Sequence, residues 1–290
     1  MSASTSPPVT GRIEDLDIER MRLIRPVPYG RVVAVVLILL VAGFIIKSFA
    51  QGQINWAMTA QYLFWPTIMM GLFNTIWMSI VCMAIGIGIG LMCAVGRDSA
   101  NPIVRGASIF YTWFFRGAPL ILQLLIWFNL ALIFPRLSFF GLFEMRTVEV
   151  ITPAVAAILG FGLNAGAYAS EIIRGGLLGV YRGQYEAAKA IGMTNGLALR
   201  RIVLPQAMRT VLPPLGNEFI SMIKMTSLAS IIGFSDLLRS VQNIYFVNTR
   251  VIELLMVATF WYLVVVTVLS VFQRMLERRF GRGFQRSEQR

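Results

Sequence analysis

The sequence predicts an all-α integral membrane protein with about six transmembrane helices. Its 290 residues are 57% hydrophobic and only 14% charged, with a mean hydropathy of +0.70. A soluble domain keeps about a quarter of its residues charged to wet its surface. The apolar residues also fall in runs long enough to cross a bilayer, which an unusually apolar soluble core would not need. Finally, the 26 Lys and Arg lie mostly between those runs and mostly on alternate sides of them.

The elements follow in chain order. Residues 1–30 mix Pro, Ser, acids and Arg without the layout of a signal peptide, and read as a cytoplasmic tail. RVVAVVLILLVAGFIIKSF (31–49) is about one bilayer long. The second run, 66–96, exceeds the roughly 20 residues a span needs, so it must tilt or protrude. A third covers about 107–134, interrupted at Arg116-Gly117-Ala118-Pro119. A fourth covers about 151–180, a fifth about 206–234 and a sixth about 254–273. With the N-terminus inside, nineteen Lys and Arg fall on inner segments and five on outer ones. That bias predicts both termini in the cytoplasm, with a basic tail at 281–290.

Composition also excludes chemistry. The net charge of +12 marks membrane orientation here, so no nucleic-acid partner is expected. His is absent, removing the usual metal ligand and general base, and no H-E-x-x-H or nucleophile–base set stands in for it. Neither an enzyme nor a metal site is expected. Cys82 and Cys93, eleven residues apart on one helix, are separated by roughly 16 Å and cannot pair with each other. Gly86 and Gly90 in the second span, and Gly162 and Gly166 in the fourth, are read as close helix-packing points.

Two polar stripes mark a candidate pathway. Asn164, Tyr168 and Glu171 are spaced i, i+4, i+7 on the fourth span, and Asn217, Ser221 and Lys224 repeat that spacing on the fifth. Ionisable groups in lipid are costly and usually face a cavity or a partner. Glu171 offers an anion for an ammonium group; a structural pairing with Arg174 one turn on is the competing reading. For Lys224, snorkelling or pairing with Glu218 stands beside substrate contact. Gln123 and Trp127 form a further i, i+4 pair, and Arg116 reads as a hinge or interfacial anchor.

The stretch QYEAAKAIGMTNGLALRRIVLP (184–205) lies inside by the charge count. Gln184–Ile191 reads as a short helix that Gly192 ends in the left-handed conformation. Asn195 reads as the cap of a second helix with Leu197, Ala198 and Ile202 as its apolar stripe, and Pro205 stands in the first turn of the fifth span. An amphipathic hairpin on the headgroups is one reading; the small-residue face at Ala187-Ala188 favours a partner with a groove.

Glu186-Ala187-Ala188, then Gly192, then Ile202-x-Leu204-Pro205 resembles the E-A-A-x3-G-x9-I-x-L-P signature of ABC-importer permeases. The segments GLFNTIWMSIVCMAIGIGIGLMCAVGRDS, YTWFFRGAPLILQLLIW, AYASEIIRGG and PQAMRTVLPPLGNEFISMIKMTSL resemble the polar-amino-acid uptake branch of that family. Ala118 departs from its usual Thr, and Met225 stands where many members have Asp. The resemblance runs from about 66 to 280. It implies a five-helix ABC-importer permease core, preceded by one extra transmembrane helix (31–49), with a cytoplasmic coupling loop at 181–205. It further implies that Glu186, Ala187, Ala188, Gly192, Ile202, Leu204 and Pro205 dock on a cytoplasmic ATPase.

The chain has no G-x-x-x-x-G-K-[ST] and so cannot bind ATP by that mechanism; no cofactor of its own is expected, and the resemblance implies that ATP is bound by that partner subunit. The other implied partners are a second identical or similar permease, an extracytoplasmic amino-acid-binding protein and membrane lipid. The implied function is ATP-driven uptake of polar amino acids across a bacterial inner membrane by alternating access. A gradient-driven channel or carrier, its loop lying on the membrane, is the alternative.

Overall fold

A computed structural model describes residues 29–139 and 143–280. The tail read over 1–30 lies outside the described residues except for its last two, and the basic tail at 281–290 lies outside them entirely. The described chain is almost wholly helical. Among the described residues four helices are long and apolar enough to cross a membrane singly, and the number rises to as many as six if each of two bent pairs is one span.

Helix α1 (Tyr29–Gln51) belongs to a unit of its own. Its 23 residues reach about 34 Å, enough for the hydrocarbon core of a bilayer. Apolar side chains cover every side of it, and Leu39, Phe44 and Ile46 all stand exposed.

The second unit begins at Asn55. Asn55 caps α2 (Trp56–Tyr62), its Oδ1 accepting from the Met58 amide at 3.0 Å. Pro66 opens α3 (Pro66–Arg97), where its missing N–H costs nothing. At 32 residues α3 is about 48 Å long, in keeping with the over-long second run.

The core of the unit is the packing of α3 on α7 (Pro153–Leu178), and glycine sets its closeness. A Cβ on Gly86 would stand 2.6 Å from the Ala165 Cβ, and one on Gly90 2.7 Å from that of Ala169. Gly162 and Gly166 admit Ile85 and Tyr111 in the same way. The small-residue reading of these glycines is therefore what the helices use. Met78, Cys82, Leu124, Phe161, Ala165 and Met222 pack into the cluster around this contact. Cys82 and Cys93 are both free thiols.

The third apolar run is broken where the sequence reading placed its interruption. α4 (Pro102–Gly117) and α5 (Leu120–Phe128) meet at Ala118-Pro119 with a bend of 102°. Pro119 has no N–H to continue the helix and disfavours helical backbone at Ala118, which is extended (φ −84°, ψ 135°). The run then ends sooner than residue 134, in a 3-10 turn at Leu130–Leu132. A hairpin of β1 (Arg136–Phe139) and β2 (Phe143–Arg146) and a short α6 (Thr147–Val150) lead into α7.

After α7 come α8 (Arg182–Ala190) and α9 (Asn195–Ala198), then a π turn at Leu199–Val203 that runs directly into α10 (Leu204–Met225). Pro205 stands in the first turn of α10 as expected, while Pro213 and Pro214 lie inside it. A 3-10 segment (Thr226–Ile232) ends at Gly233, whose φ of +82° suits glycine. α11 (Leu237–Asn248), capped by Asp236, follows at a bend of 46°; the sequence reading had no helix there. α12 (Val251–Phe280) closes the unit, longer at both ends than the sixth apolar run. Its Trp261 donates to the Leu63 carbonyl at 2.7 Å, tying it back to the start of the unit.

Candidate functional site

Most of the residues singled out from sequence fall in two places: the α4–α5 break where it meets α7, and the loop between α7 and α10. At the break, the Phe115 carbonyl is freed because Pro119 supplies no N–H four residues on. Two side-chain amides take it instead, Asn164 Nδ2 at 2.7 Å and Gln123 Nε2 at 3.0 Å. Gln123 also donates to the Ala118 carbonyl at 2.8 Å. Both amides are buried. Asn164 and Gln123, read from sequence as pathway residues, thus hold the backbone of the break. Trp127 packs at the edge of the apolar core.

Tyr168 and Glu171, further along the α7 stripe, line a cavity. Arg97 at the end of α3 and Arg116 at the end of α4 both direct a guanidinium to Glu171 Oε1, the Arg116 contact being 3.3 Å. Arg116 also lies over the Tyr168 ring, 5.4 Å from its centre. The local pairing of Glu171 with Arg174 is thereby corrected. Arg174 sits 3.9 Å from Asp98, because α3 and α4 bring their own cations to the face on which Glu171 lies.

Two cavities adjoin the cluster. One, of about 350 Å³, is lined by Arg97, Thr112, Trp113, Arg116, Tyr168 and Glu171 among others. The other, of about 410 Å³, is lined by Arg116, Gly117, Asn164, Tyr168, Glu218 and Met225 among others. Arg116, Gly117 and Tyr168 line both. Lys224 is exposed and forms no ion pair among the described residues, so its expected pairing with Glu218 is not made. Asn217 is exposed on the same helix.

In the loop, α8 ends in the turn foreseen for it. Gly192 adopts φ +77°, its N–H donates to the Lys189 carbonyl at 2.9 Å, and the Met193 N–H donates to that of Ala188 at 3.0 Å. This is the paired bonding of a Schellman cap. The second cap differs: Thr194, not Asn195, is extended and accepts from the Leu197 amide at 3.4 Å, and Asn195 is the first helical residue. Ala188 and Ala198 are buried, while Glu186, Ala187, Ile191 and Leu197 are exposed. Ile202 is half-buried, and Leu204 and Pro205 are exposed at the start of α10. A third cavity, of about 560 Å³, lies beside α8 and is lined by Asp98, Tyr181, Tyr185, Glu186 and Lys189 among others.

Sequence reasoning missed Arg97 and gave Arg116 no partner. Their meeting with Glu171 depends on helices far apart in the chain, and no local spacing signals it.

Comparison with known proteins agrees with this architecture. The family described as binding-protein-dependent transport system inner membrane component matches residues 86–282. The arginine transport system permease protein ArgU of Corynebacterium glutamicum is 37% identical over 258 residues, covering 88% of this chain and 81% of that protein. The L-cystine transport system permease protein TcyB of Bacillus subtilis is 39% identical over 223 residues, 77% of this chain and 90% of that one. The glutamine transport system permease protein GlnP of Escherichia coli is 35% identical over 219 residues, 74% and 94%. A crystal structure of an amino acid ABC transporter with histidines superposes with a TM-score of 0.69 at 32% identity, covering 79% of this chain and all of that one. The MetNI methionine ABC transporter superposes at 0.59 with 18% identity, a likeness of fold alone. The chain is thus a multi-pass inner-membrane protein, and it belongs to the amino-acid ABC-importer permeases of the binding-protein-dependent transport family.

Proposed function

We propose that this chain is the membrane-spanning subunit of an ATP-driven importer of polar amino acids, working by alternating access with both termini in the cytoplasm. The observation that carries the reading is the loop at 181–205. Its Schellman-capped helix holds Glu186 and Ala187 outward on a short, firmly bounded element. From Asn195 the chain then runs without a break in helical structure to Ile232. α8 lies before this rod, joined to its start through the Gly192–Thr194 turn, and in this reading a displacement of α8 passes through that turn and along the rod into the membrane.

That rod bears on α7 at a tight contact. A Cβ on Gly176 would stand 2.1 Å from Val211 Cγ2, so α10 and α7 touch there with no slack. α7 carries Tyr168 and Glu171 beside the two cavities. A partner that pulls on the loop thus has a contiguous path to the charged cluster. ATP belongs to that partner, a cytoplasmic ATPase subunit. A second permease, identical or similar, completes the route. An extracytoplasmic binding protein delivers the substrate, which the relatives named for arginine, L-cystine and glutamine support as a polar amino acid.

Purification of the tagged protein from its own membranes in mild detergent, with mass spectrometry of what accompanies it, tests the reading. A P-loop ATPase retained by the wild type and lost with Glu186→Arg is expected. If none is retained even after cross-linking at 184–205, a gradient-driven channel or carrier takes its place.

A further inference from the structure

We infer that Arg116 is the receptor for the carboxylate of the transported amino acid, with Glu171 as the counter-ion it gives up. The inference rests on the reading of the chain as an amino-acid permease and assigns the substrate group to a residue.

Two guanidiniums share a single carboxylate oxygen, Glu171 Oε1, so the cluster carries one positive charge more than it neutralises. The two cations are not equivalent. Arg97 has a side chain 19% exposed and the closer contact; Arg116 is 44% exposed and sits at 3.3 Å. When Arg116 turns to another carboxylate, Glu171 keeps Arg97, and neither carboxylate is left without a partner. The exchange replaces one guanidinium–carboxylate pair by another, and the forked guanidinium suits a carboxylate in two-point contact.

Placement supports the same role. Arg116 lines both cavities, which places it beside each of them. Glu218 is also among the residues lining the second cavity and offers an acceptor for an ammonium group. The backbone that presents Arg116 is fixed on both sides, since the carbonyls of Phe115 and Ala118 are occupied by Asn164 and Gln123. Tyr168 supports the guanidinium from its ring face. Asn164 and Gln123 are positioning residues in this arrangement, and Arg116 is the group that touches substrate.

Equilibrium binding to the purified permease–ATPase complex, without binding protein, tests it. The probes are labelled L-arginine, L-glutamine and L-cystine, with the matching amino amides and decarboxylated amines as competitors. The wild type should bind at least one probe, and its amide and amine should compete about tenfold worse or weaker still, the worth of a charged hydrogen-bonded contact. Arg116→Gln should lose about tenfold in affinity and cease to tell the amino acid from its amine, with Arg116→Lys recovering part of both. Unchanged affinity in Arg116→Gln, amines that compete as well as amino acids on the wild type, or no binding of any probe would each overturn the assignment. ATPase retention by Arg116→Gln is expected to match the wild type, so loss of carboxylate recognition is separable from failure of the importer reading.

Discussion

Asn164 on α7 and Gln123 on α5 place their amide nitrogens on the same acceptor, the Phe115 carbonyl, at 2.7 and 3.0 Å. A sharp bend in a membrane helix leaves carbonyls that lipid cannot satisfy, and these two side chains satisfy one of them in duplicate. Asn164→Ala leaves Gln123 on that carbonyl and should cost about 1 kcal/mol; Gln123→Ala leaves Asn164 there but also strands the Ala118 carbonyl, and should cost more, about 1–3 kcal/mol. The double substitution strands the carbonyl and should cost more than the sum, by about 1 kcal/mol or more. Thermal unfolding in detergent measures all three; strictly additive losses would count against a shared role.

The contact between α3 and α7 leaves no room for a methyl group at two positions and ample room at a third. Gly90→Ala sets a Cβ 2.7 Å from that of Ala169 and 2.9 Å from the Ser170 amide nitrogen. Because backbone lies in the way, the helices must part, at a cost of about 1–3 kcal/mol. Gly86→Ala should behave alike. Gly88→Ala meets nothing within 4 Å and should be neutral or slightly stabilising. Equal losses of detergent stability at all three positions would contradict the packing.

Gly192 is constrained by its backbone alone, since its φ is +77° and a Cβ there would touch nothing. Gly192→Ala should weaken the loop by about 1 kcal/mol and slow uptake, while Gly192→Pro, which cannot adopt a positive φ, should abolish it. Membrane insertion should be intact in both, as in Glu186→Arg. Normal uptake by Gly192→Pro and Glu186→Arg would remove the loop from the transport cycle.

Glu171→Gln takes the shared anion from two guanidiniums at once. Uptake should fall by about tenfold or more, because an unpaired cation in this setting is costly. Asp98→Asn disturbs only a 3.9 Å contact between side chains 33% and 60% exposed and should change uptake little. If Glu171→Gln carries the same substrates with unchanged affinity and rate, Glu171 has no part in the pathway.

What was legible in the sequence was whatever local pattern controls. The bend at Ala118-Pro119 was foreseen as an interruption because Pro dictates it, and Gly192 as a left-handed stop because few other residues accept that backbone. The glycine pairs of α3 and α7 announced a close contact, though not that Ala165 and Ala169 would meet them. The hairpin around β1 and β2 went unseen because Leu130–Phe134 continues the apolar run, and hydropathy does not separate a strand entry from a helix end. α11 went unseen because its mixture of Arg, Gln and Asn with Leu, Ile and Phe shows no span of bilayer length. The actual partners of Glu171 went unseen for a simpler reason. Helical spacing offered Arg174, while Arg97 and Arg116 arrive through tertiary packing that a single sequence does not display. The same packing gives Asn164 and Gln123 a further part, holding the backbone of the break, while Asn164 also lines a cavity.

The most direct measurement is amino-acid uptake into proteoliposomes that hold the permease with its co-purified ATPase and binding protein, with ionophores collapsing all ion gradients. Accumulation that requires enclosed ATP and is abolished by Glu186→Arg is the expected result. Uptake at the same rate without ATP, driven instead by an imposed gradient and indifferent to Glu186→Arg, would contradict the proposed function.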